Sequence, residues 1–131
     1  MMHTSSFDKV KFLEEKGLTI ISIAPKSPDW YKGYEYKKLA PTADMYIEWK
    51  DSEDNDRYIK RFRKEILSKL DAEKVLNELH DLVSEKDWVK PLCFVCFGEP
   101  RELSHRHLVS KWFWEHDYII SEWGGCKIYE V

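Results

Sequence analysis

Pro91-Leu-Cys-Phe-Val-Cys-Phe97 is an unbroken apolar run that passes directly into Gly98-Glu-Pro-Arg-Glu-Leu-Ser-His-Arg-His107. A run that is apolar at odd and even positions alike is buried on both faces, as in a strand inside a helix-covered parallel sheet. The Gly98–Pro100 turn and the spacing that follows it predict a helix from about Leu103 to His116. Strand, turn and helix thus form one unit, with four polar residues, Ser104, His105, Arg106 and His107, at the start of the helix.

A second β-branched run, Leu18-Thr-Ile-Ile-Ser-Ile-Ala24, is bounded by Gly17 and Pro25 and predicts another buried strand. Helical spacing fills most of the interval between the two. A short helix capped by Thr42 reaches Lys50. Asp54 to Lys69 carries Ile59, Phe62, Ile66 and Leu70 on one face and Arg57, Lys60, Arg61 and Lys64 on the other. That basic face reads as a solvated helix surface. A further helix, capped by Asp71, runs to about Lys86 and buries Val75, Leu79, Leu82 and Val83. Strands separated by helices indicate an α/β fold: one domain over residues 1–131, built as a three-layer sandwich with a short, mainly parallel sheet flanked by helices. Residues 1–17 are polar and read as an arm or short helix ending at Gly17. In the tail, Tyr118–Ile120 and Lys127–Tyr129 read as short strands on either side of a Gly124-Gly125 turn.

Composition narrows the function. With 21 basic against 24 acidic residues the net charge is −3, which excludes broad electrostatic binding to an extended nucleic acid and makes any anion site local. The first residues lack the apolar run of a secretion signal, and no stretch reaches the roughly 20 apolar residues of a membrane span, so the expectation is a cytoplasmic protein with no membrane partner. Three cysteines then read as reduced thiols. Cys93 and Cys96, three apart on a strand, point to opposite faces and read as core thiols rather than a redox or metal pair.

In open α/β sheets ligands sit at the carboxyl ends of the strands. A helix start exposes unpaired N–H groups and the positive end of the dipole, which favours phosphate or carboxylate. A cation there opposes the dipole at about 0.3–1 kcal/mol, so Arg106 requires an opposing acid: Glu99, Glu102 or a bound anion. As a ligand site, Arg106 supplies a planar fork, Ser104 a hydroxyl, and His105 and His107 hydrogen bonds. The structural alternative is an Arg106 pair with Glu99 or Glu102, with His105 packed beside Leu108 and Trp112. The long connection from Pro25 to Pro41 carries Trp30, Tyr31, Tyr34 and Tyr36 with Lys37 and Lys38, a set suited to covering a base or ribose. No metal is expected, because His105 and His107 diverge on a helix and Glu99 would leave the set incomplete. No other cofactor is indicated. A Ser104–His nucleophilic pair lacks an orienting acid.

Tyr36-Lys-Lys-Leu-Ala-Pro41, Leu92–Phe97, Glu99-Pro100 and Ser104-His-Arg-His-Leu108 together resemble the domain-of-unknown-function family 488, in its small bacterial and phage branch. The resemblance spans about Leu18 to Glu122. It implies a single-domain three-layer α/β fold with the motif at the carboxyl edge of the sheet, and it maps Glu99, His105 and Arg106 onto the family's motif. Ser104 stands where the family usually has cysteine, which suits binding better than thiol chemistry.

The leading expectation is a module that senses or sequesters a small anionic ligand, a nucleotide or a nucleotide derivative. One alternative is a hydrolase or glycosidic-bond transferase on such a ligand, with Glu99 as nucleophile or base and His105 as acid. Another is a protein–protein adaptor using Trp114 and Trp123. A homo-oligomer is compatible with each.

Overall fold

The computed structural model describes residues 1–131. Its centre is β4, Leu92–Cys96, in which every residue is buried, as the apolar run requires. β2, Thr19–Ser22, lies along it in parallel, with Ile21 opposite Phe94. Five parallel strands make one sheet in the order β3-β2-β4-β1-β5.

The stretch read as an arm or short helix supplies the strand that the apolar pattern does not reveal. β1, Met2–Ser6, sits between β4 and β5, and the short helix α1, Val10–Glu15, follows it. The sequence His3-Thr-Ser-Ser6 lacks the Val/Ile/Leu run of an interior parallel strand. Neighbouring strands take up its backbone, and Thr4 donates its hydroxyl to Glu122 at 2.7 Å. Gly17, at φ +86°, then turns α1 into β2.

The long connection contains a two-residue edge strand, β3, Tyr34–Glu35. Thr42, Asp54 and Asp71 cap α2 (Ala43–Ser52), α3 (Asn55–Glu65) and α4 (Ala72–Leu82) through their side chains. The helix expected to continue to Lys86 breaks at Val83, and Ser84 caps a separate turn, α5, Glu85–Trp88. α6 spans His105–Glu115, and β5 spans Ile120–Glu122. Lys127–Tyr129 makes no strand.

The connection β1–α1–β2 carries the chain one way across the sheet, and β4–α6–β5 carries it the other way. Right-handed crossovers place α1 and α6 on opposite faces, so the sheet is covered on both sides. Leu13 of α1 and Phe94, Leu108 and Phe113 on the α6 side are fully buried. Chain leaves β2 toward the β3 edge and leaves β4 toward the β5 edge. The crevice between the carboxyl ends of β2 and β4 is therefore the topological switch point where ligands bind in open sheets. No helix is long and apolar enough to cross a membrane.

Replacing the fully buried Leu13 by alanine removes about 2–5 kcal/mol of stability, whereas alanine at the neighbouring, half-exposed Phe12 costs under about 1 kcal/mol. Urea unfolding measures both, and equal losses would contradict the placement of α1 on the sheet.

Candidate functional site

β4 ends in a turn at Gly98, whose φ of +104° suits glycine and strains any L side chain. The turn brings the chain to Ser104, the residue that precedes α6. Its hydroxyl does not cap the helix. It donates instead to the Phe97 carbonyl at 3.3 Å and lies 2.8 Å from the Cys96 sulfur. Cys96 is thus buried like Cys93, and it touches the polar turn as well as the core.

Arg106 is completely buried, and neither Glu99 nor Glu102 pairs with it. Its partner is Glu122 of β5, which accepts from Nε at 3.0 Å and from Nη2 at 2.9 Å. Nη1 donates to the Phe97 carbonyl and to Ser104, both at 3.2 Å. Burial opposes the charge on the guanidinium, but the Glu122 hydrogen bonds outweigh it and hold the pKa above the ordinary arginine value. The charge conflict at the helix start is therefore answered inside the protein by a carboxylate sixteen residues away. Arg106 is not an open fork for an external anion.

His105 and His107 have different surroundings. His105 Nε2 donates to the Ile23 carbonyl at 2.6 Å, and burial pulls its pKa down to about 4. A ring that is neutral at pH 7 is an acceptor at its other nitrogen, which does not fit the role of proton-donating acid. His107 is also buried, and neither of its ring nitrogens has a partner. It faces a separate cleft beside Ser110, Glu122 and the C-terminal tail.

At the switch point lies a cavity of about 700 Å³ bounded by Ala24–Asp29 after β2, Phe97–Gly98 after β4, the start of α6, and α2 and α3. Tyr46, Trp49 and Tyr58 form an aromatic wall. Trp49 stacks on Tyr58 at 4.4 Å between centroids, and Lys50 Nζ stands 4.8 Å from the Trp49 ring. Ser104 and His105 line the same cavity, as do Lys26, Asp29 and Glu102. An adjoining recess of about 440 Å³ shares Pro28, Phe97, Gly98 and Glu102 with it and adds Asp8, Trp30 and Glu99. The Glu99 carboxylate is exposed, and no ion pair holds it; its N–H donates to Glu102 at 3.2 Å.

Of the aromatic residues in the long connection, only Trp30 reaches this edge. The Tyr31 hydroxyl donates to the Tyr34 carbonyl at 2.6 Å, Tyr34 to Asp87 at 2.7 Å, and Tyr36 to Glu78 at 2.5 Å. Lys38 pairs with Glu78 as well. Lys37 donates to the Pro25 carbonyl at 3.1 Å and does not line the cavity. The aromatic cover is provided by α2 and α3, and of this loop only residues 25–29 border the cavity. Tyr46, Trp49 and Lys50 are spaced i, i+3, i+4, so their alignment on one helix face was available in the sequence. Glu122 had no such signal, because its importance depends on β5 pairing with β1, which in turn lies beside β4. No group of three or more His, Cys, Asp or Glu side chains is arranged to hold a metal ion.

Fold and site together define a single-domain α/β protein with an aromatic-walled crevice at the carboxyl edge of a parallel sheet. The chain belongs to the DUF488 family: residues 19–117 match the model described as the active DUF488-N3 subclade. Among curated proteins and among solved structures, none matches the chain significantly.

Two outcomes are expected. Arg106→Met leaves Glu122 buried and unpaired and costs about 3–5 kcal/mol, whereas Arg106→Met with Glu122→Leu recovers much of that loss; chemical denaturation of the two variants measures the difference. The lowered pKa of His105 means that the unfolded chain binds a proton first as pH falls. Stability is then full above pH 6.5 and declines between 6.5 and about 4, by roughly 3 kcal/mol from this residue. Thermal melts across that range check the sign, and stability that rose on acidification would contradict it.

Proposed function

We propose that this protein binds a small nucleotide-like ligand in the crevice between β2 and β4. The observation that carries this reading is the cavity of about 700 Å³ at the switch point, walled by Tyr46, Trp49 and Tyr58. Its volume suits a nucleoside or nucleotide, and its walls suit the face of a base. The anionic end of the ligand lies at the start of α6, which Ser104 leaves uncapped, with Lys26 and Lys50 at the rim. Arg106 supports this turn from below and makes no contact with the ligand. Trp30 borders the adjoining recess, while Tyr31, Tyr34, Tyr36 and Lys38 are engaged elsewhere.

A second reading has the same site convert its ligand, as a hydrolase or glycosidic-bond transferase. It is favoured by the subclade's description as active and by the Glu99 carboxylate, which no cation holds. Glu99 is then the base or nucleophile, and neutral His105 orients the substrate rather than protonating it.

Incubation with a panel of nucleosides and nucleotides, followed by thermal shift and mass spectrometry of the released species, tests both readings. Intact ligand recovered from the protein supports binding, and altered ligand supports turnover. Trp49→Ala weakens retention by about tenfold, the loss expected for one stacked base. If turnover is found, Glu99→Gln lowers it by about a hundredfold or more with binding preserved. Neither shift nor retention with any member of the panel overturns the proposal.

A further inference from the structure

Two deeply buried side chains reach the cavity from different helices, each with one polar atom unpaired. Tyr58 of α3 is 2% exposed and His105 of α6 is 6% exposed. Both line the cavity, and both rings pack on Phe62, at centroid distances of 6.4 and 5.7 Å. The Ile23 carbonyl accepts the His105 Nε2 proton. That bond fixes the tautomer and leaves a lone pair on Nδ1. Neither Nδ1 nor the Tyr58 hydroxyl has a partner in the protein. Nor do they belong with the polar side-chain atoms sealed in the interior without one, which are on His3, Ser5 and His107. Both atoms therefore keep some access, and both residues line the cavity.

Buried polar groups are almost always paired, and leaving one unpaired is costly. Here an unpaired donor from the aromatic wall and an unpaired acceptor from the start of α6 share one packing neighbour, Phe62. Burial raises the pKa of the phenol and lowers that of the imidazole, so at neutral pH the first is a donor and the second an acceptor. Among the other polar residues of the lining, Lys26, Asp29, Lys50 and Glu102 are exposed, Tyr46 is only partly buried, and the hydroxyls of Ser27 and Ser104 are engaged with Glu35 and the Phe97 carbonyl.

We infer that the Tyr58 hydroxyl and His105 Nδ1 form a reading pair for the hydrogen-bonding edge of a nucleobase, which presents one acceptor next to one donor. The base enters with its hydrogen-bonding edge toward these two groups, and the sugar and any phosphate stay at the rim. This rests on the nucleotide-like ligand proposed above, and it goes further in naming the part of the ligand that is selected. A site built to pair with both groups rejects a ligand that lacks one of them, because the protein group is then stranded.

Calorimetric titration of the full chain with adenosine, inosine and uridine, each beside its edge-blocked counterpart (N6,N6-dimethyladenosine, 1-methylinosine and 3-methyluridine), tests the inference. The expected result is that a parent nucleoside binds and its blocked form binds about tenfold or more weakly. Tyr58→Phe keeps the ring against Trp49 and removes only the hydroxyl, so the variant folds, binds the parent more weakly and loses most of the discrimination. If parent and blocked forms bind alike, and binding still depends on Trp49, the reading pair is refuted while the proposed function stands. If no nucleoside or nucleotide binds, both are refuted.

Discussion

The buried pair between Arg106 and Glu122 is the constraint on which the rest of the structure depends. A guanidinium with no exposure is tolerated only where its donors are met. Here Glu122 takes two of them, the Phe97 carbonyl and Ser104 take others, and Thr4 adds a bond to the same carboxylate. The network joins β1, the end of β4, the start of α6 and β5. Breaking one member would strand a charge, whereas replacing both partners with apolar groups would not. The pair therefore sets register and turn geometry more than it adds net stability. It holds Ser104 off the helix cap and so leaves the start of α6 bare beside the crevice.

Successive residues of a helix are separated by about 100°, and that separation divides His105, Arg106 and His107 among three environments. His105 turns to the cavity and to the end of β2. Arg106 turns inward to β5. His107 turns to the cleft under the C-terminal tail. A triplet that reads as one anion-binding cluster in the sequence thus serves a cavity-facing position, a core ion pair and a separate cleft. The chemistry of the crevice passes accordingly from the arginine to the aromatic wall, the two unpaired polar heads and the carboxylates along the rim.

Much of this architecture was legible in the residues. The apolar runs at 18–24 and 91–97 identify β2 and β4, and Thr42, Asp54 and Asp71 mark helix starts that their side chains cap. The junction after Phe97 was legible as the edge where a ligand would sit, because glycine at positive φ and a helix start leave little choice there. β1 was not legible, since Thr4, Ser5 and Ser6 are buried by strand pairing, with hydroxyl bonds from Thr4 and Ser6, rather than by hydrophobicity. The loop tyrosines were misleading for a related reason: an aromatic ring with a hydroxyl suits a ligand surface and a structural hydrogen bond equally well, and Asp87 and Glu78 claim Tyr34 and Tyr36.

The sequence by itself determined the strand–turn–helix unit, the fold class and the edge of the sheet at which the crevice opens, because these follow from periodicity, glycine conformation and helix capping, which are local. Only the tertiary structure decided that Arg106 answers to Glu122, that α2 and α3 wall the crevice, and that the Tyr58 hydroxyl and His105 Nδ1 are left without a protein partner. Those outcomes depend on which distant elements come to lie beside one another, and long-range pairing leaves no periodic trace in a single chain.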